Sequence, residues 1–257
     1  IAERYTDRSC LTLEKILEFA NTCNLDDVRT IISRQIECNM AISDEGMTGK
    51  YGLDIGHVLT KDNNCLEVLM SARAAAASEA RMDGCPLPVV TNSGSGNQGI
   101  TTSIPIIVYC RENNIDEETM YRALVFSNLC TIHEKTGIGR LSAFCGAVCA
   151  ATSAGATLTY LKGGTLEQIG NTVRNNFADI SGIVCDGAKT TCALKIHTSL
   201  QAAFLASKMA LCGKTYDANT GILKASCEST IDAIGVLGKQ GMKETDKVIL
   251  NIMLEKE

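Results

Sequence analysis

Two groups of residues in this 257-residue chain have types and spacing that can do chemistry. The first is the stretch TNSGSGNQGI, Thr91 to Ile100, in which Gly94, Gly96 and Gly99 form G-x-G-x-x-G. A dinucleotide site needs a strand before such a loop and a second strand ending in an acid after it. Here the downstream acids Asp116 to Glu118 open a helix instead, so that reading is set aside. What remains is physical: successive N–H groups in a glycine-rich turn at a helix start can cradle a small anion, a carboxylate as well as a phosphate. Asn92, Ser93, Gly94, Ser95, Gly96, Asn97 and Gln98 are the candidate binding residues, with a capped structural turn as the alternative. The second group is cysteine: FCGAVC holds Cys145 and Cys149, and CDGAKTTC holds Cys185 and Cys192. Zinc usually takes a tighter pair at each end of its site. An iron–sulfur cluster tolerates irregular thiolate spacing. Packing cysteines account for the same spacing equally well.

The elements that must position these groups read as helices. Leu11 to Ala20 is a short helix with Thr12 as its cap, and from Asp26 the apolar residues Val28, Ile31, Ile32, Ile36 and Met40 recur at helical steps. A glycine-rich connection with Gly46, Gly49, Gly52 and Gly56 follows, and helix returns over Leu66 to Arg81. Pro105 fits the first turn of a helix through Ser103 to Arg111. Asp116 and Thr165 each start a helix with acids in its first turn, and Lys189 to Leu211 and Ser229 to Leu237 read the same way. Leu141 to Leu161 carries no charge, but its Ala, Gly, Ser, Thr and Cys content suits a tightly packed buried helix better than a membrane span. Alternating strands are almost absent. The expectation is a mainly α fold, a single domain over 1–257, built as a multi-helix bundle around that small-residue helix.

Composition excludes some partners. The net charge of −5, with 29 acidic and 24 basic residues and no basic run, argues against nucleic acid. Thirteen cysteines, an odd number and too sparse for a disulfide scaffold, point to a reducing, cytoplasmic chain whose thiols are mostly packing.

The fragment SGNQG resembles the loop with which one class of pyridoxal-phosphate enzymes grips an amino acid, but no phosphate cup or alternating α/β pattern accompanies it. The loop TNSGSGNQGI, the motif FCGAVCAA and the segment GIVCDGAKTTCALK, in that order, resemble the iron–sulfur L-serine dehydratase α-chain and the related L-cysteine desulfidases. That resemblance spans roughly Ile36 to Leu211 and rests on three motifs. It implies a [4Fe–4S] cluster on Cys145, Cys185 and Cys192, with Cys149 left to packing, and a substrate carboxylate in the loop from Asn92 to Gln98. It further implies an enzyme, a lyase removing sulfide or water, and ammonia, from L-cysteine or L-serine to give pyruvate. The family's Gly-Cys-Thr-Glu-Pro motif, whose cysteine is implicated as the base, is missing, and Cys10 in DRSCLTL does not match it. A missing N-terminal region, a β-type partner chain or a homodimer is therefore expected to complete the site, and a non-catalytic helical domain is the alternative. His133 and Lys189 are the polar candidates for a base, each with an ordinary surface role as its plainer reading.

Overall fold

The computed structural model describes residues 7–63, 65–139 and 142–255, and within them the regular structure is helical. The elements in chain order are α1 (Leu13–Thr22), α2 (Asp26–Gly46), α3 (Ile55–Thr60), α4 (Leu66–Met82), α5 (Gly96–Glu112), α6 (Glu117–Thr136), α7 (Gly146–Leu161), α8 (Leu166–Asp179), α9 (Cys192–Leu211), α10 (Cys227–Val236) and α11 (Lys243–Leu254). A π-helical turn, Leu237–Gly241, joins the last two. Several starts are fixed locally. Thr12 accepts from Lys15 N–H, Asp116 from Thr119 N–H at 2.9 Å, and Thr165 forms a reciprocal capping box with Gln168.

Helix α7 is the axis of the bundle: α5, α6, α8 and α9 all pack on it, and every residue from Ala147 to Thr159 is buried. Its small residues allow this. A Cβ on Gly155 would stand 2.6 Å from the Ala203 carbonyl oxygen, so only glycine lets α9 come this close. The buried hydroxyls are satisfied in pairs, Thr159 with Thr172 at 2.7 Å and with Ser207 at 2.8 Å. Among the described residues no helix is long and apolar enough to cross a membrane.

Four sequence expectations need correction. The central helix begins at Gly146, not Leu141; Leu141 lies outside the described residues, and Ser142 to Cys145 are non-helical, with Phe144 in an isolated bridge. Helix α5 begins at Gly96 rather than Ser103, so Pro105 is deep inside it. Its ring removes one helical hydrogen bond, and in the interrupted turn the Ser127 hydroxyl donates to the Thr102 carbonyl at 2.8 Å. Helix α9 starts at Cys192 instead of Lys189. The glycine-rich connection is shorter than expected: Gly46 ends α2, where its Cβ would meet the Ala76 carbonyl at 2.3 Å, and Gly56 lies in α3, while Gly49 and Gly52 between them sit in irregular turns at positive φ. Helix α11 was not anticipated, and it buries none of its residues.

The direction of the helices matters for the site. Helices α4 and α9 are antiparallel, tied by Lys208 to Glu67 at 2.9 Å and by Gln201 and His197 to Ser71 at 2.9 and 3.0 Å. The C-terminal end of α4 therefore reaches the N-terminal end of α9.

Candidate active site

The two sequence motifs meet at one end of the bundle, where the N-termini of α5, α7 and α9 converge. Cys145 is the residue before α7 and Cys192 is the first residue of α9. Cys185 is joined to Cys145 by a short antiparallel pairing of Phe144 with Val184, in which Cys145 N–H donates to Ile183 O at 2.9 Å and Cys185 N–H to Ala143 O at 2.7 Å. After Cys185 the chain must double back within a few residues, and Gly187 takes the left-handed conformation this needs, with φ of 97°. Cys192 Sγ then lies 3.5 Å from Lys189 N and 3.6 Å from Gly187 O.

The electrostatics favour one negative sulfur of the Cys145–Cys185 pair. The Cys145 thiol, hydrogen-bonded to the Cys185 sulfur and buried, is pushed well above the ordinary thiol range. The same hydrogen bond, aided by Gly187 N–H and the Lys195 charge against burial, brings Cys185 down to about 6. Lys195 donates to Val184 O at 3.1 Å and pairs with Asp186, placing a cation beside the thiols. Two helix N-termini add partial positive charge at Cys145 and Cys192. Cys149 differs: it is fully buried one turn into α7, and burial followed by the Glu134 charge raises its thiol. It packs toward α6. All thirteen cysteines are free thiols. Among the described residues no three His, Cys, Asp or Glu side chains close on one point as ligands of a single metal ion.

The glycine-rich loop forms a tight turn. Asn92 and Ser95 exchange backbone hydrogen bonds of 3.1 and 2.9 Å around Ser93 and Gly94, whose φ values of 49° and 81° are those of a type I′ turn. Its side chains are largely engaged. Asn92 donates to Asn128 O at 3.1 Å and Oδ1 at 2.9 Å, the Ser93 hydroxyl to Asn92 Oδ1 at 2.8 Å, and Ser95 Oγ accepts from Gln98 N–H at 3.4 Å as the cap of α5. The first-turn N–H groups of Gly96 and Asn97 find no acceptor among the described residues.

Gln98 connects the loop to the cysteines. It is only 6% exposed, and its Oε1 is buried without a partner. Its carboxamide lies on Gly146, where a Cβ would stand 2.4 Å from Gln98 Cδ and 2.5 Å from Nε2. An unpaired carboxamide thus sits next to Cys145.

Sequence reasoning missed three neighbours. Lys195 lies one turn after Cys192, a spacing that could have flagged it. Arg81, at the end of α4, donates to Asn97 Oδ1 at 3.2 Å. Ser78 shares a face of α4 with Ser71 and Ala75; Ser71 meets His197, and Ala75 packs in one small cluster with Ala193, which sets Ser78 level with the start of α9. Its Oγ is buried without a partner. Neither Arg81 nor Ser78 has a local signature, because tertiary packing brings them here. His133 is not at this site: its Nε2 pairs with Glu228 at 2.7 Å. Lys189 is, through its backbone.

Comparison with known proteins shows the family. The serine dehydratase alpha chain family matches residues 3–251. The UPF0597 protein of Treponema denticola is 48% identical over 256 residues, covering 97% of this chain and 59% of that protein. The UPF0597 protein of Desulfitobacterium hafniense is 52% identical over 250 residues, covering 97% and 58%. The chain therefore spans less than two thirds of the length of these relatives. With three motifs gathered at one end of an all-helical bundle and the family matched over nearly its whole length, the chain belongs to the serine dehydratase alpha chain family.

Proposed function

We propose that this chain carries the main part of the active site of an iron–sulfur lyase that converts L-cysteine or L-serine to pyruvate. With L-cysteine and water the products are pyruvate, ammonia and hydrogen sulfide; with L-serine they are pyruvate and ammonia, the water lost being returned in hydrolysis. The observation that carries the reading is the contact of Gln98 with Gly146, at which the glycine-rich loop borders the start of the helix that follows Cys145.

The donor set fits a cluster. Each thiolate of a cluster takes a different iron, so its ligands gather without closing on a single point, whereas structural zinc needs four ligands around one centre. Cys145 and Cys185 share a sulfur hydrogen bond and Cys192 lies within electrostatic reach of Cys145, beside Lys195 and two helix N-termini that would offset the negative charge of a thiolate-bound cluster. A [4Fe–4S] cluster on three protein thiolates keeps one iron open as a Lewis acid toward the leaving thiol or hydroxyl.

The chain's own residues orient the substrate. The free N–H groups of Gly96 and Asn97 receive the carboxylate, and Gln98 Oε1 accepts from the ammonium, which leaves Cβ directed toward Cys145. The base that takes the α-proton is not assigned to these residues. Asp186 is held by Lys195, and Glu79 accepts from Leu53 and Ile55 N–H at 2.8 Å each. The remaining length of the relatives, or a partner chain, is the proposed source of the base.

The test is pyruvate formation from L-cysteine and from L-serine by the full-length protein prepared without oxygen, beside its Gln98→Leu variant. Turnover of either substrate, with KM raised in the variant, supports the reading; no turnover of either by iron-loaded protein contradicts it.

A further inference from the structure

Arg81 stands between two helix ends, the last turn of α4 and the first turn of α5. It ends α4 with its guanidinium lying across the start of α5: a Cβ on Gly96 would stand 2.4 Å from its Nε and 2.8 Å from Cζ. Besides Asn97 Oδ1 it reaches only Met82 Sδ, at 3.8 Å, and among the described residues it has no acidic partner. The negative end of α4 favours a cation at Arg81, while the positive end of α5 favours an anion at the same spot, so an anion placed there would meet both the guanidinium and the helix start. Two unpaired N–H groups, those of Gly96 and Asn97, border the same spot. Gln98, one residue further on, offers the opposite chemistry, an acceptor that is buried and unpaired.

We infer that Arg81 is a binding residue for the carboxylate of an α-amino acid, taking one carboxylate oxygen while Gly96 and Asn97 N–H take the other. This rests on the function proposed above and names the group that selects amino acids over amines at the same site. The guanidinium supplies a planar pair of donors that matches a carboxylate. Its hydrogen bond to Asn97 Oδ1 fixes it over the helix start before substrate arrives.

The test compares ligands that differ only in the carboxylate. Steady-state kinetics on the full-length, iron-loaded protein under anaerobic conditions measure KM for L-serine and L-cysteine as substrates and Ki for ethanolamine and cysteamine as competitive inhibitors, in wild type, Arg81→Met and Arg81→Lys. The expected result is that Arg81→Met raises KM for the amino acids about 10- to 150-fold, the range for a lost charge-assisted hydrogen bond, and leaves Ki for the amines unchanged. Arg81→Lys should recover part of the loss, and iron content and thermal midpoint should stay at wild-type values. Unchanged KM for the amino acids in Arg81→Met overturns the inference while the proposed function stands. Equal weakening of amino acids and amines overturns it in favour of a purely structural role. A wild type that turns over neither amino acid overturns both.

Discussion

Replacing Gly146 by Ala tests whether Gln98 faces the substrate. The new Cβ would stand 2.4, 2.5 and 2.8 Å from Cδ, Nε2 and Oε1 of Gln98. Carbon contacts are comfortable at about 3.5–4.0 Å, so the carboxamide must retreat by more than about 1 Å. It can do so, because all three atoms are the far end of a flexible side chain. Alanine in place of glycine also restricts the unfolded chain, which stabilises by about 0.4–1 kcal/mol and offsets the rearrangement. Folding stability should therefore stay within about 1 kcal/mol of wild type. Binding should not: a displaced Gln98 Oε1 forfeits a charge-assisted hydrogen bond to the ammonium, about 1.5–3 kcal/mol, and KM should rise about 10- to 150-fold with iron content unchanged. Gly99→Ala is the contrasting control. There the Cβ would lie 2.0 Å from the Val90 carbonyl oxygen and 3.0 Å from Thr91 Cα, backbone atoms that no rotamer change relieves, so that variant should lose folded stability. The assays are thermal unfolding and steady-state kinetics on the full-length protein. Wild-type KM in a well-folded Gly146→Ala variant would refute the placement of Gln98 against the substrate.

Two further outcomes concern buried polar groups. Ser78→Ala removes a hydroxyl that is buried without a partner, so without ligand it should raise the thermal midpoint, by about 2–4 °C for each kcal/mol recovered. A lowered midpoint would mean the hydroxyl is bonded in the folded protein. Glu134, 2% exposed and bonded to the Ser153 hydroxyl at 3.1 Å, is held well above the usual carboxylate range by burial, with the Ser153 bond opposing. Its folded pKa lies above its unfolded one, so its contribution is complete below about pH 4.5 and is lost as pH rises toward the folded value, at up to about 1.4 kcal/mol per pH unit. Glu134→Gln should flatten the decline of stability between pH 5 and 8 in denaturant titrations, and parallel wild-type and variant curves would count against a buried neutral acid.

Local chemistry made much of this fold legible. Thr12, Asp116 and Thr165 announce helices because a cap acts on residues two or three positions away, and the Ala, Gly, Ser and Thr content of α7 announces close packing for the same local reason. Pro105 misled because proline suits a first turn, whereas here the Thr102, Ser127 and Thr131 hydroxyls form a buried hydrogen-bonded group in the interrupted region. The start of α7 was misplaced because Phe144 pairs with Val184, forty residues away, and no local pattern reports that pairing. At the site, residue types and spacing left packing cysteines and a structural turn as alternatives, and the resemblance of three motifs to a known family singled out Cys145, Cys185, Cys192 and the loop. Which loop groups remain free to bind depended on tertiary structure: Ser93 and Ser95 turn their hydroxyls inward, while Gln98 keeps its carboxamide unpaired. Arg81 and Ser78 reach the site only because α4 runs antiparallel to α9.

The central claim is that the thiols at the converging N-termini of α5, α7 and α9 hold a cluster beside an amino acid site. Iron and acid-labile sulfide per chain, with the Mössbauer spectrum, in anaerobically reconstituted full-length protein test it most directly. The account predicts close to four of each in wild type and in Cys149→Ser, whose thiol packs toward α6, and loss of the cluster in Cys145→Ser, Cys185→Ser and Cys192→Ser. A wild type that takes up no iron, or a Cys149→Ser variant that loses it while Cys145→Ser retains it, would contradict the account.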